Sequence, residues 1–248
     1  MIIIKKDEEI ELMRKSCYIA AVALFKAGEA VKPGVTTQHI NKIAEDYITS
    51  KGAIPSFLNY SGFPASACIS VNNEVVHGIP SSNRVLQEGD IVSVDIGAFL
   101  NGFHSDNAAT FAVGKISKDL EHLLNVTQNS LMLGIKAAVV GARVGAISHA
   151  VQTCVESEGF YVVKDYVGHG VGRNLHEGPE VPNFGNPGHG ARLVSGMTLA
   201  VEPMVNIGTE EVQAQPNGTV VTKDGSYSAH FEHTIALTED GPQILTLC

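Results

Sequence analysis

The sequence predicts an α+β fold made of two related halves, and three observations carry that reading. The first is an internal repeat: Gly34, Ile40 and Gly52 recur as Gly141, Ile147 and Gly159, each displaced by 107 residues. Gly89 and Asp95 recur at the same displacement as Gly196 and Glu202. Each half reads as two helices followed by strands, with a carboxylate six residues after the glycine that opens a strand. The second is the stretch GDIVSVDIGAFLNGFHSDNAAT (89–110). Its buried-strand pattern folds back at Asn101-Gly102, a tight-turn dipeptide, into a second strand carrying Asp106. The third is that no low-complexity stretch and no Ser- or Pro-rich linker interrupts the 248 residues. That favours one compact domain, 1–248, with pseudo-symmetric halves of roughly 1–115 and 116–248 around a shared cleft.

In chain order, residues 2–4 read as a short edge strand. Asp7 is placed to cap a helix running to about Ala30, with acidic residues in its first turn. Ile10, Met13, Cys17, Ala21, Leu24 and Phe25 give that helix its apolar stripe. Pro33-Gly34 ends the region. Thr36 or Thr37 caps a second helix to about Lys51, and Gly52 stops it. Residues 53–88 read as loops and short strands, and the strand pair of 89–110 follows. Ser117 or Asp119 starts a third helix, through about Val140. A fourth runs from about Val144 to Glu158, with Gly159 as its stop. Short strands and glycine-rich loops occupy 161–190. Gly196 then opens the strand MTLAVEPMV (197–205). A polar hairpin turning at Pro216-Asn217-Gly218 leads to the strand SAHFEHTIALT (228–238).

Composition excludes several classes. A net charge of −9 gives no basic face for DNA or other nucleic acid. Cys17, Cys68, Cys154 and Cys248 are far apart and form no C-x-x-C pair, so neither a disulfide framework nor a zinc ribbon is expected. The apolar run at the N-terminus is too short for a signal peptide, and no stretch reaches membrane-spanning length. These features predict a cytoplasmic protein.

The chemistry begins with Asp95, which sits among Ile91, Val92, Val94 and Ile96. Two inward carboxylates on adjoining strands, Asp95 and Asp106, repel each other unless a cation lies between them. Either Asp alone is more simply a turn cap or a solvated group, but as a pair within apolar strands they suit a metal. The second half adds Glu202 and, on the return strand, Glu232 in the part of Asp106. His169, flanked by glycines in GHGVGRNLHEGPEVPNF (168–184), is the fifth member. A lone histidine is usually structural; beside four inward carboxylates it reads as a ligand.

Four carboxylates and an imidazole carry too much charge for one ion and suit two divalent ions with bridging carboxylates. The set has no thiolate, so Mn, Fe(II) or Co fits better than a structural zinc site, with Zn as an alternative. Hydrolysis is the natural reaction class. His77 in VVHGIP and His176 in NLHEGP stand in loops from which each can donate to a substrate amide or a developing oxyanion. These residues do not separate a peptide bond from a phosphate ester. The lack of a basic cluster near them leans toward peptides.

At these motifs the sequence closely resembles the methionine aminopeptidases of the short bacterial type I. CISVN, HGIP, the Asp95/Asp106 pair, GHGVGRNLHEGPEVPNF, VEPM and FEHT carry the resemblance, which covers essentially the whole chain. It implies the pita-bread fold of creatinase and the aminopeptidases, with helices packed on a central, mainly antiparallel curved sheet. It implies that Asp95 chelates one metal, that Asp106 and Glu232 bridge both, and that His169 and Glu202 complete the shell of the other. Glu202 would be the proton shuttle, His77 would contact the substrate, and His176 would bond the scissile carbonyl. Tyr60, Phe63 and Cys68 would line the methionine side-chain pocket. The substrates implied are N-terminal methionyl peptides and nascent polypeptides with a small second residue.

Three departures stand out. Leu175 occupies a position where the family often has an aromatic residue, and the hairpin reads Asn217-Gly218-Thr219-Val220 where many relatives carry Trp; both predict a looser pocket. Asn107 follows Asp106 in place of Thr or Ser, so its amide is expected to support the ligands instead of a hydroxyl. Glu210 and Glu211, with no lysine beside them in 209–219, argue against ribosome association through that hairpin. No heptads or dimer stripe are visible, so a monomer is expected. The competing readings are an enzyme acting on X-Pro bonds, a non-catalytic binding module of the same fold and a dinuclear phosphohydrolase.

Overall fold

A computed structural model describes residues 1–248. Residues 2–4 do not form the expected strand. Ile2 makes a single parallel bridge to Gly178, and the next residue, Pro179, has no N–H with which to extend it. Helix α1 spans Asp7–Glu29, with Lys6 rather than Asp7 at the N-cap. The carboxylate of Glu9 takes the Lys6 N–H at 2.9 Å, and Asp7 becomes a first-turn residue that favours the positive end of the helix. Ile10, Met13, Cys17, Ala21 and Leu24 are buried as their spacing predicts, but Phe25 is 56% exposed. α2 is Thr37–Ser50, and Thr36 Oγ1 accepts the His39 N–H at 3.2 Å. After it the chain turns at Gly52 with φ +72°, a conformation that favours glycine.

Next come β1 (Ile54–Pro55), β2 (Ala67–Val71), β3 (Glu74–Val76), β4 (Ile91–Leu100) and β5 (Phe103–Ala112). Asn101 and Gly102 both have positive φ, 53° and 85°, as the two-residue hairpin requires. α3 is Lys118–Ala137, capped by Ser117 and not Asp119, and it stops before Val140, where the chain turns so that Gly141 can donate to the Leu193 carbonyl. α4 is Val144–Ser157. The remaining strands are β6 (Tyr161–Val162), β7 (Gly168–Gly170), β8 (Glu177–Val181), β9 (Thr198–Val201), β10 (Met204–Asn206), β11 (Val212–Ala214), β12 (Val220–Thr222), β13 (Ser228–His230), β14 (Glu232–Thr238) and β15 (Gly241–Ile244).

Nine strands form one antiparallel sheet in the order β1-β4-β5-β14-β9-β7-β8, with β2 also on β4 and β15 on β14. α1 and α2 bury their apolar faces against β2 and β4, in a cluster that includes Leu24, Ile40, Ile69 and Val94. α3 and α4 do the same against β9 and β14 through Leu131, Ile147, Leu199 and Ile235. The repeat is visible in the ladders: α4 starts and ends 107 residues after α2. Ile54↔Phe99 and Pro55↔Ala98 recur, at the same displacement, as Tyr161↔Asn206 and Val162↔Val205.

Two expected strands are each broken in two. The counterpart of β4 is split into β9 and β10 at Glu202-Pro203, because Pro203 cannot donate to a ladder where its repeat mate Ile96 does. The return strand is split at Phe231 into β13 and β14. β9 and β14 stay in the large sheet, whereas β10 joins β13 and β6 in a small one of order β13-β10-β6. The polar hairpin β11–β12 pairs with β3, which brings its tip to His77: Thr219 Oγ1 donates to the His77 carbonyl at 3.2 Å.

Candidate metal centre

The strand register decides which carboxylates meet. Asp95 pairs with Ala108 and Asp106 with Gly97, so the two acids are diagonal neighbours on one face of the β4–β5 hairpin. The second half is not a copy. The register that pairs Met204 with His230 and Val201 with His233 puts Glu232 directly across from Glu202. His230, not Glu232, therefore stands at the position equivalent to Asp106. The break at Glu202-Pro203 and Phe231 lies at this point, where the chain passes between β9 and β14 of the large sheet and β10 and β13 of the small one. Pairing of β5 with β14, through Glu232↔Ala108 and His233↔Asn107, brings the two halves' acids together.

His169 reaches the same place from β7. Its flanking glycines are needed for close approach: a Cβ on Gly168 would stand 2.4 Å from the Ala200 carbonyl oxygen, and one on Gly170 would stand 2.2 Å from that of Gly178. His169 Nδ1 donates to the Gly170 carbonyl at 2.9 Å. Nε2 then carries a lone pair, and it faces Glu202 Oε1 at 3.4 Å and Asp106 Oδ2 at 3.7 Å. Ligand atoms of Asp106, His169 and Glu232 all lie within 4.8 Å of one another.

The electrostatics of this cluster call for a cation. Asp95 Oδ1, Asp106 Oδ1 and Glu232 Oε1 are buried and accept no hydrogen bond. Burial pushes the Asp95 carboxyl up to about 7. Burial, and then the neighbouring carboxylates, hold Asp106 and Glu232 well above the usual carboxylate range. Glu202 is raised by burial and by Asp95. Burial, and then the nearby His176, lower His169 to about 4, so its imidazole is neutral and free to ligate. Acceptors that lack any donor, next to an imidazole lone pair, are the donor set of a hard divalent ion.

All ten side chains expected to hold metal or contact substrate line one cavity of about 550 Å³. Asp95, Asp106, His169, Glu202 and Glu232 form its floor. Phe57, Cys68 and Leu175 pack together in its wall with Phe63 against them. Tyr60 Oη lies 2.7 Å from His176 Nδ1, and the His176 ring is 4.2 Å from that of His169. His77 occupies the left-handed region at φ +60°, which is uncommon for a non-glycine residue. Asn217 and Gly218 line the cavity from the hairpin tip.

Asn107 does not support the ligands as expected. Strand alternation turns its side chain to the opposite face, where it lines a groove with Phe231 and His233, and its Oδ1 has no partner. The hydroxyl beside Asp106 comes instead from Thr234, which donates to the Asp106 carbonyl at 2.7 Å and accepts its N–H at 3.0 Å. His230 was missed from sequence: its Nε2 is buried, without a hydrogen-bond partner and 3.9 Å from Glu202 Oε2. The signal was present in HFEH, since alternation puts His230 and Glu232 on one face.

A model of metallopeptidase family M24 matches residues 11–239. The chain is 56% identical to the methionine aminopeptidase of Clostridium acetobutylicum, over all of both chains. It is 53% identical to methionine aminopeptidase 1 of Bacillus subtilis, over 99% of each. It superposes on the crystal structure of the Thermotoga maritima methionine aminopeptidase with a TM-score of 0.98 at 47% identity, again over 99% of each. The chain belongs to metallopeptidase family M24 and, within it, to the methionine aminopeptidases, whose pita-bread fold it shares.

Proposed function

We propose that this protein removes the N-terminal methionine from peptides and nascent chains by metal-dependent hydrolysis, within one catalytic domain of two pseudo-symmetric halves. The observation that carries the reading is the convergence of five ligand-type side chains, three with orphaned buried oxygens, on the floor of a cavity walled by Phe57, Tyr60, Phe63, Cys68 and Leu175. The site would hold two divalent ions: Asp95 on one, His169 and Glu202 on the other, Asp106 and Glu232 on both. Mn, Fe(II) and Co suit this oxygen-rich set, with Zn as an alternative. When bound, such ions polarise a carbonyl and lower the pKa of a water.

The chain's own residues do the rest. The apolar wall takes the methionine side chain, and the carboxylate floor closes the cavity beyond the substrate's free amine, so only the first residue fits. With the Tyr60 hydroxyl donating to His176 Nδ1, Nε2 carries the proton and donates to the scissile carbonyl oxygen as charge develops there. His77 contacts the substrate from the opposite rim. Glu202 takes a proton from the attacking water and delivers it to the leaving nitrogen. The protein would act as a cytoplasmic monomer. Glu210 and Glu211 in its hairpin pair with Lys164 and Lys223, which leaves no basic surface there for ribosomal RNA.

The test is turnover by metal-stripped protein with Mn, Co or Fe(II) restored singly, on Met-Ala-Ser and Ala-Pro peptides. The reading predicts release of methionine alone, dependent on metal. Cleavage of the Ala-Pro peptide would move the enzyme to the X-Pro peptidases, and no turnover with metal bound would favour a binding module.

A further inference from the structure

The segment before α1 is fastened to the loop that carries His176. Lys5 Nζ and Glu177 Oε2 form an ion pair whose side chains are 2% and 1% exposed. Lys5 Nζ also donates to the Ile3 carbonyl at 3.2 Å, and Glu177 Oε1 accepts the Asn174 N–H at 3.1 Å. One carboxylate thus closes the short segment 174–177, in which His176 lies, and ties it to the N-terminus. Further contacts follow the same seam. Gly178 donates to the Met1 carbonyl at 3.2 Å, and Arg173 donates to Glu9 Oε1 at 2.7 Å. Gly172 sits so close that a Cβ there would stand 2.4 Å from Lys5 Cε.

A buried ion pair is a poor source of stability, since desolvating two charges offsets their attraction and an apolar pair of similar size often serves as well. What it does supply is direction: a carboxylate held by an ammonium on one side and a main-chain N–H on the other has one position. His176 needs such help. It is exposed to the cavity, and its side chain's one hydrogen bond is to Tyr60, itself 39% exposed in a loop with positive φ at Asn59 and Ser61.

We propose that Lys5 and Glu177 are positioning residues for His176, so that the N-terminal segment belongs to the architecture of the active site. The inference rests on the reading that His176 contacts the substrate. If Lys5–Glu177 sets the place of that imidazole, its loss lowers turnover through His176 and through nothing else.

The test compares steady-state kinetics on a Met-Ala-Ser peptide, metal content and Tm for the holoenzyme and five variants. Lys5→Met/Glu177→Gln removes both charges and leaves no lone buried ion. Glu177→Asp keeps the charge and shortens its arm, in case the double variant does not fold. Lys5→Arg is the conservative exchange, and His176→Ala removes the imidazole. Expected for the double variant is a fall in kcat of about 10- to 100-fold with unchanged metal content, KM within about twofold of wild type and a smaller fall for Lys5→Arg. Glu177→Asp moves in the same direction, and combining the double variant with His176→Ala costs nothing beyond His176→Ala itself. Full kcat in the double variant alongside a large loss in His176→Ala would overturn the inference alone, as would losses that add in full or that track metal content. Wild-type kcat in His176→Ala would overturn the underlying reading and the inference with it.

Discussion

His169 turns its Nε2 lone pair toward Glu202 Oε1 at 3.4 Å, because the ring's one proton is committed through Nδ1 to the Gly170 carbonyl. Once Glu202 is ionised, two acceptors at that distance in a buried site need a cation as the third party. Replacing His169 with Ala is therefore expected to weaken metal binding and lower turnover together, and Tm of the metal-free protein should change little. Metal titration followed by calorimetry checks this; unchanged affinity would remove His169 from the ligand set.

Asp106 is one of the two carboxylates proposed to serve both ions, and Asp106→Asn should reduce kcat/KM by about 10³-fold or more, beyond the loss typical of a single transition-state donor. Metal-free Asp106→Asn should melt at or above the temperature of metal-free wild type, since one of four mutually repelling buried acids is gone. Full activity in this variant would refute the assignment.

For His176→Ala, kcat is expected to fall about 10²- to 10³-fold with metal content retained. Atomic absorption beside the kinetics separates this from ligand loss, which would instead move His176 into the metal shell.

Gly170→Ala places a Cβ 2.2 Å from the Gly178 carbonyl oxygen. The strands β7 and β8 must part, at a cost of about 1–3 kcal/mol as in other overpacked sites, and His169 moves with them. Urea unfolding should show the loss of stability, and metal titration the loss of affinity.

The pH dependence follows from the floor. In the metal-free fold Asp95 is raised to about 7, and Asp106, Glu202 and Glu232 are held well above the ordinary carboxylate range, all chiefly by burial. A carboxyl raised on folding is protonated in the fold and ionised in the unfolded chain, so its contribution to stability is lost as pH rises from about 4 upward. For Asp95 that loss runs through about 7. Metal binding displaces those protons and removes the repulsion. The Tm difference between loaded and stripped protein should therefore widen with rising pH, and titration in buffers of different ionisation enthalpy should register proton release. A difference that narrows would contradict the carboxylate floor.

Much of this was legible in the sequence, for reasons particular to each element. The 107-residue repeat located both helix pairs, because Gly52 and Gly159 end α2 and α4 in the same way. Asp95 and Asp106 were found because charge inside a buried-strand pattern is conspicuous. The strand breaks were not visible: 197–205 and 228–238 read as continuous because apolar runs do not say which sheet they join, although Pro203 was the available sign. Asn107 was misplaced because its role was argued from chain adjacency to Asp106, whereas alternation turns neighbours to opposite faces. His230 was overlooked beside Glu232, and the Lys5–Glu177 pair joins positions too distant in sequence for any local pattern to connect.

In the proposed site Asp95, Asp106, His169, Glu202 and Glu232 together hold two ions. Anomalous diffraction from crystals of the Mn-loaded protein tests it most directly. Two peaks a few ångströms apart, with Asp106 and Glu232 touching both, is the predicted result. A single peak, or metal bound away from Asp106 and Glu232, would contradict it.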